Sequence, residues 1–225
     1  MVPYRYFVLY KPFGILSQFS GEPETTLGWL FPFPKEVYPV GRLDKDSEGL
    51  LLLTDDKALN EYLLHPSHGH SRTYYVQVEG IPSQEALQAL ADGVTIRVDG
   101  REHLTLPAEA ALLPSLPELP ERHPPIRFRK SVPDSWLSLR LVEGKNRQVR
   151  RMTAAVGLPT LRLVRWSMEE LDIAGYQVGE VREFEQETLF QLLKIDKKRL
   201  YAAKRSEKLG GVRNFTRTKP RKGGR

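Results

Sequence analysis

The chain has 225 residues, of which 40% are hydrophobic and 9% aromatic, and it carries a net charge of +6. That length allows one large domain or two small ones, and the absence of cysteine excludes disulfides and thiolate metal sites. No apolar run approaches the ~18–20 residues of a membrane span and the N-terminus lacks the apolar core of a secretory signal, so the cytoplasm is the expected compartment.

Residues 6–10, Tyr-Phe-Val-Leu-Tyr, predict a first strand. Lys11-Pro-Phe-Gly14 stops it, because proline and glycine both oppose strand continuation. Residues 41–49 form a polar turn ahead of a buried leucine strand over 50–53. Asp55 or Asp56 can cap a helix over 58–64, which His65-Pro66 ends. Residues 72–78 alternate as a strand. Residues 83–90 start like a capped helix, with Pro82 just ahead of Ser83. Segments 94–98 and 104–106 flank Asp99-Gly100, a hairpin turn pair.

Residues 107–133 hold seven of the 17 prolines and predict an extended excursion. Residues 136–142 alternate as another strand, and 146–156 predict a helix closed by Gly157. Two closing strands are expected at 161–166 and 181–184. A last helix is expected from Glu187 to about Lys204, leading into a tail expected to be disordered. Strands outnumber helices, without strict βαβ alternation, so the fold class is α+β with a mixed or antiparallel central sheet.

Charge is unevenly spread. Residues 194–225 hold 13 Lys/Arg and two acids, a local charge of +11 that leaves the remaining chain at −5. A basic tail on a mildly acidic body points to a polyanionic partner, with RNA the foremost candidate.

Three segments carry chemistry. In Gly41-Arg-Leu-Asp-Lys-Asp-Ser-Glu-Gly-Leu-Leu-Leu-Leu-Thr54, one carboxylate, Asp44, sits in a turn backed by a rigid strand, with Arg42 two residues away. The flanking glycines let the backbone bend and a ligand approach. In Glu143-Gly-Lys-Asn-Arg-Gln-Val-Arg-Arg-Met152, four cations surround a helix N-terminus, where free N–H groups favour anions. Arg147 shares a helix face with Arg150 or Arg151, which suits phosphates and carboxylates, although a solvated helix would show the same pattern. Tyr74, in Arg72-Thr-Tyr74, reads by itself as an ordinary strand tyrosine. Residues 124–131 interleave cations with Phe128, as single-stranded RNA grooves do. His68-Gly-His70 has no third ligand nearby and reads as loop rather than metal site.

Together these segments resemble the signatures of the RsuA-type pseudouridine synthases. The first is similar to the catalytic motif Gly-Arg-Leu-Asp-x-x-Ser/Thr-x-Gly-Leu-Leu, and the second to the motif Glu-Gly-Lys/Arg-Asn-Arg-Gln-Ile/Val-Arg-Arg-Met. Arg72-Thr-Tyr74 resembles the family's Lys-x-Tyr element, with arginine in place of lysine. Lys11-Pro-Phe-Gly14 and Leu161-Arg-Leu-Val-Arg165 resemble two weaker family elements. The likeness spans about residues 6–184. Its nearest branch lacks an N-terminal S4 domain and also shares Pro-Pro-Ile-Arg and Arg-Lys-Ser-x-Pro-x-Ser-Trp, here ending at Trp136.

The resemblance implies a catalytic domain over 1–186, two α/β subdomains sharing one sheet with a cleft between them, followed by a C-terminal helix and basic tail over 187–225. It implies isomerisation of a uridine in 23S ribosomal RNA, without metal or cofactor, by a monomer. Asp44 would start the reaction, Arg150 would pair with it, and Tyr74 would stack on the uracil. Lys11, Arg42, Arg72, Lys145, Asn146, Arg147, Gln148, Arg151, Arg162 and Arg165 would hold RNA. Two other readings compete. A non-catalytic RNA-binding ribosome-assembly factor would use the same cleft, and a nucleosidase would need a second catalytic carboxylate, for which Asp46 and Glu48 are weak candidates.

Overall fold

The structure is a computed structural model that describes residues 3–126 and 132–201. The basic segment 127–131 and the tail from residue 202 onward, both singled out in the sequence, lie outside the described residues. In chain order the first half comprises β1 (Tyr6–Lys11), α1 (Leu27–Leu30), β2 (Tyr38–Pro39), β3 (Glu48–Thr54), α2 (Lys57–Leu64), β4 (Arg72–Glu79) and α3 (Gln84–Asp92). The second half comprises β5 (Thr95–Val98), β6 (Arg101–Leu104), β7 (Glu109–Leu112), β8 (Asp134–Leu141), α4 (Gln148–Ala155), β9 (Thr160–Met168), β10 (Leu171–Asp172), β11 (Val181–Phe184) and α5 (Gln186–Leu192).

One sheet runs β11-β1-β3-β9-β4-β8-β7, with β2 paired to β3 and β10 to β9. Every pairing is antiparallel except β3 with β9, which run parallel at just two positions, Glu48 with Val164 and Gly49 with Arg165. This mixed sheet with peripheral helices is the α+β architecture expected. The β3–β9 seam joins its two halves, and the first core reaches across it through Val164 and Met168 of β9.

In the first half, β1 and β3 are buried on both faces, which explains four consecutive leucines where a one-sided strand would alternate. Tyr6, Val8, Tyr10, Leu50 and Leu52 face a core shared with α2 and α5. Phe7, Leu9, Leu51 and Leu53 face a second core covered by the 15–37 segment. In the other half Val76, Val78, Leu137, Leu139 and Leu141 pack with Val149 and Met152 of α4. Asp56 settles the choice of cap for α2, accepting from the Ala58 and Leu59 N–H groups, an arrangement that stabilises a helix by about 1 kcal/mol.

Two expectations need correction. The proline-rich excursion contains an edge strand, β7, paired to β8 from Glu109 with Arg140 to Leu112 with Leu137. The last helix is not continuous to Lys204. It ends at Leu192, Lys194 turns into positive φ (55°), and Asp196 caps a new helical segment at 197–201 by accepting from the Lys198 and Arg199 N–H groups. Leu189, Phe190, Leu193, Ile195 and Leu200 all belong to the first core, and Tyr201 donates to the buried Asp56 carboxylate. This C-terminal piece, set apart in the sequence reading, is part of the same packed unit.

Candidate active site

The Asp44 turn is held from behind by the segment that follows β1. Gly14 N–H donates to Lys45 O at 2.8 Å. Ser17 Oγ donates to Leu43 O and accepts from Leu43 N–H, at 2.8 and 3.0 Å. Ser47 N–H closes the turn on Asp44 O at 3.0 Å. Both motif glycines adopt the positive φ that a sharp bend requires, 68° at Gly41 and 103° at Gly49, and both are closely packed. A Cβ on Gly49 would lie 2.3 Å from Arg165 O, inside the β3–β9 seam, and one on Gly41 would meet a Leu64 methyl at 3.0 Å.

Three carboxylates leave this turn at different depths. Asp44 is part-exposed, with the Arg147 guanidinium 3.5 Å away. Asp46 receives both forks of Arg147, at 2.9 and 2.7 Å. That hydrogen bonding holds the Asp46 carboxyl below its ordinary range. Glu48 is buried and takes both forks of Arg162, at 2.9 and 2.8 Å.

Arg147 reaches the turn because its backbone adopts a left-handed conformation (φ 51°) at the N-cap of α4, which swings its side chain off the helix. Arg150, expected to pair with Asp44, contacts Asp46 instead. It donates from Nη2 to Asp46 O at 2.7 Å, and its Nε lies 3.5 Å from the Asp46 carboxylate. One turn into the helix and half-buried, it passes beneath the loop, so the nearest cation recorded for Asp44 is Arg147.

Asp44 lines a cleft of about 920 Å³. Tyr74 of β4 and Arg165 of β9, register partners, line the same cleft. Arg42, Lys145, Asn146 and Arg147 are exposed on its margin. Arg72 also lines it, but its guanidinium is turned to the His70 and Leu63 carbonyls. Arg151 bonds to Asn146 Oδ1 at 3.0 Å, beside the cleft-lining set.

Three residues expected to bind RNA are buried and bonded within the protein, although Gln148 also lines the cleft. Lys11 is fully buried beneath the turn, donating to the Pro12 and Ile15 carbonyls. Burial pushes its ammonium down to about 7, against the opposing pull of Glu48, Asp46 and Asp44. Arg162 is committed to Glu48 and the Pro120 carbonyl. Gln148 is buried, donating to Glu143 and accepting from Lys145 N–H. Arg165 is buried too, yet it borders the cleft and donates from Nε to Leu50 O at 2.7 Å.

Glu143 was missed. It accepts from Gln148 Nε2 and Leu106 N–H, and its other oxygen lies 3.1 Å from His103 Nε2. It thereby ties the basic loop to the β5–β6 hairpin. Its place at the head of the basic motif was the one signal available.

The cleft thus brings together a part-exposed carboxylate, a tyrosine and several cations, a set that suits an enzyme working on a nucleic-acid base. Residues 5–155 match the sequence model of the RNA pseudouridylate synthase family. The chain is 55% identical over 172 residues to the ribosomal large subunit pseudouridine synthase E of Xanthomonas axonopodis pv. citri (strain 306), covering 73% of this chain and 88% of that one. It is 49% identical over 174 residues to the enzyme of the same name from Vibrio vulnificus (strain CMCP6), covering 77% and 72%. Among solved structures, a crystal structure of a pseudouridylate synthase superposes with a TM-score of 0.68 at 27% identity, over 85% of this chain and 75% of that one. The human RNA pseudouridylate synthase domain containing 1 shares the fold, with a TM-score of 0.51 at 15% identity over 90% and 91%. The protein belongs to the RNA pseudouridylate synthase family and is an isomerase that converts uridine in RNA to pseudouridine.

Proposed function

We propose that the protein isomerises one uridine of the large-subunit 23S ribosomal RNA, acting as a monomer in the cytoplasm, with Asp44 as the catalytic carboxylate. The observation that carries this reading is the place of Asp44, part-exposed beside Arg147 in a cleft that Tyr74 also lines. The names of the relatives at 46–55% identity support the choice of RNA. Among the described residues no helix is long and apolar enough to cross a membrane.

A stacked uridine must first be extruded, at a cost of a few kcal/mol. Phosphate contacts from Arg42, Lys145, Asn146, Arg147 and Arg151 offset that cost, with Arg72 in the wall near the base. Tyr74 receives the base by stacking. Asp44 then either attacks the ribose C1′ or removes a proton from C2′. Both routes break N1–C1′, and the bonding pair leaves with the uracil. The base rotates, C5 bonds to C1′, and a base removes the C5 proton, with Tyr74 the candidate. In this scheme Arg150 is a positioning residue that steadies the turn through the Asp46 carbonyl, while Arg147 provides the charge beside Asp44.

The test is tritium release from C5-labelled uridine in 23S rRNA lacking the modification. Wild type is expected to release tritium and Asp44→Ala to release none while still binding RNA. Equal release by both proteins would remove Asp44 from the chemistry, and no release by wild type would refute the RNA assignment.

A further inference from the structure

A buried polar atom without a partner costs about 1–3 kcal/mol, so each one in a native fold calls for an explanation. Among the described residues three such atoms belong to cleft-lining residues: Ser47 Oγ, His70 Nε2 and Arg165 Nη2. Arg165 is the most telling. A hydroxyl can rotate and an imidazole can change tautomer, but a guanidinium N–H can only donate. Arg165 is 4% exposed. Its Nε bond to Leu50 O at 2.7 Å fixes the plane of the group, the Tyr74 hydroxyl lies close enough to interact with the guanidinium, and Nη2 finds no acceptor within hydrogen-bond distance among the described residues.

Strand pairing sets this donor beside Tyr74. Arg165 lies opposite Tyr74 across β4–β9, where same-face neighbours are about 4.5–5.5 Å apart at Cβ. It also lies opposite Gly49 across the seam. Ser47, two residues before Gly49, is bonded to the Asp44 carbonyl. The cleft that Asp44 lines therefore presents, beside Tyr74, a fixed cation whose Nη2 has no protein acceptor among the described residues.

We infer that Arg165 is a specificity-determining residue for the reacting base, its Nη2 donating to a carbonyl oxygen of the extruded uracil. A carbonyl is the acceptor this site lacks, and uracil offers two. The same contact assists bond cleavage. When N1–C1′ breaks, the electron pair makes a uracil monoanion whose charge is shared by O2 and O4, and a preorganised buried cation stabilises such a charge as it develops. The anion needs no proton before it forms the C5–C1′ bond; it then gives up its C5 proton to the base and takes one at N1, so the product is neutral, and on the C2′ route Asp44 returns its proton to C2′.

This inference rests on the uridine isomerase reading, and the experiment separates the two. C5-tritium release is measured on RNA carrying uridine, 2-thiouridine or 4-thiouridine at the target, sulfur being a poorer acceptor than oxygen. Wild type is expected to slow about 10- to 100-fold on one of the two thio substrates. Arg165→Met should lose a similar factor on uridine and nothing further on that thio substrate. A merely structural role would give losses that multiply on both thio substrates, and that result overturns the inference. So does a wild type indifferent to both sulfurs, a result that stands even if Arg165→Met does not fold. Wild type inactive on every RNA would instead overturn the isomerase reading and the inference with it.

Discussion

The turn from Asp44 to Glu48 carries two kinds of ion pair, and the molecule uses them differently. Asp46 and Arg147 are 36% and 40% exposed at their side chains, whereas Glu48 and Arg162 are 1% and 8% exposed. Both pairs are bidentate and of similar length. Water screens the upper pair, so it contributes about 0–1 kcal/mol, and Arg147 is free to exchange Asp46 for an RNA phosphate. The lower pair is desolvated, and neither member can be left alone. Equal geometry at two depths thus gives a replaceable contact above and a fixed one below.

The sharpest way to break this comparison is Glu48→Ala. It strands Arg162 without its carboxylate and should destabilise the fold by about 3–5 kcal/mol, read from urea unfolding. A loss below about 1 kcal/mol would show the two pairs to be equivalent. Next comes Gly49→Ala, which introduces a Cβ against the Arg165 backbone at a position with φ 103°. A loss of about 2–3 kcal/mol is expected from overlap and backbone strain, and a wild-type melting temperature would mean the seam relaxes freely.

Arg147→Ala tests the upper pair. Stability should change by less than about 1 kcal/mol, while RNA affinity falls and the log–log salt slope of binding decreases by about one. An unchanged slope would remove Arg147 from phosphate contact.

The last test is one of pH dependence, at Lys11. Burial lowers its ammonium from 10.5 to about 7, so between those values the unfolded chain holds more protons than the folded one. Stability from this group therefore rises with pH across that window. Below about 7 both states are charged, and the folded state bears the whole cost of a buried cation. Lys11→Met should remove the rise, so its urea midpoint should gain on wild type at about pH 6.5 and lose that advantage by about pH 9. A constant difference would mean that Lys11 keeps its charge.

Much of this was legible because it is local. The Asp44 turn, the leucine strand, the α2 cap and the Asp99-Gly100 hairpin are each set by a few consecutive residues. Depth was not legible. Lys11, Arg162 and Gln148 sit in or beside basic motifs exactly as exposed residues would, yet strands and loops distant in sequence cover them. The partner of Arg150 was misjudged because a left-handed Arg147 cannot be read from residue type. The β7 edge strand was hidden by surrounding prolines, which an edge strand tolerates. Gly49 looked like room for a ligand because the strand that fills that space comes more than a hundred residues later.

The β3–β9 seam also bears on how the molecule comes into being. Its contacts join residues 114 and 115 apart in the chain, and closing so long a loop is slow relative to the neighbouring hairpins. The first core is completed only by Val164 and Met168 of β9, and Asp44 shares a cleft with Tyr74 and Arg165 only once that strand has docked against β3. Competence for catalysis is thereby tied to the completion of folding, and a chain stalled with its halves apart would hold every required residue and no cleft.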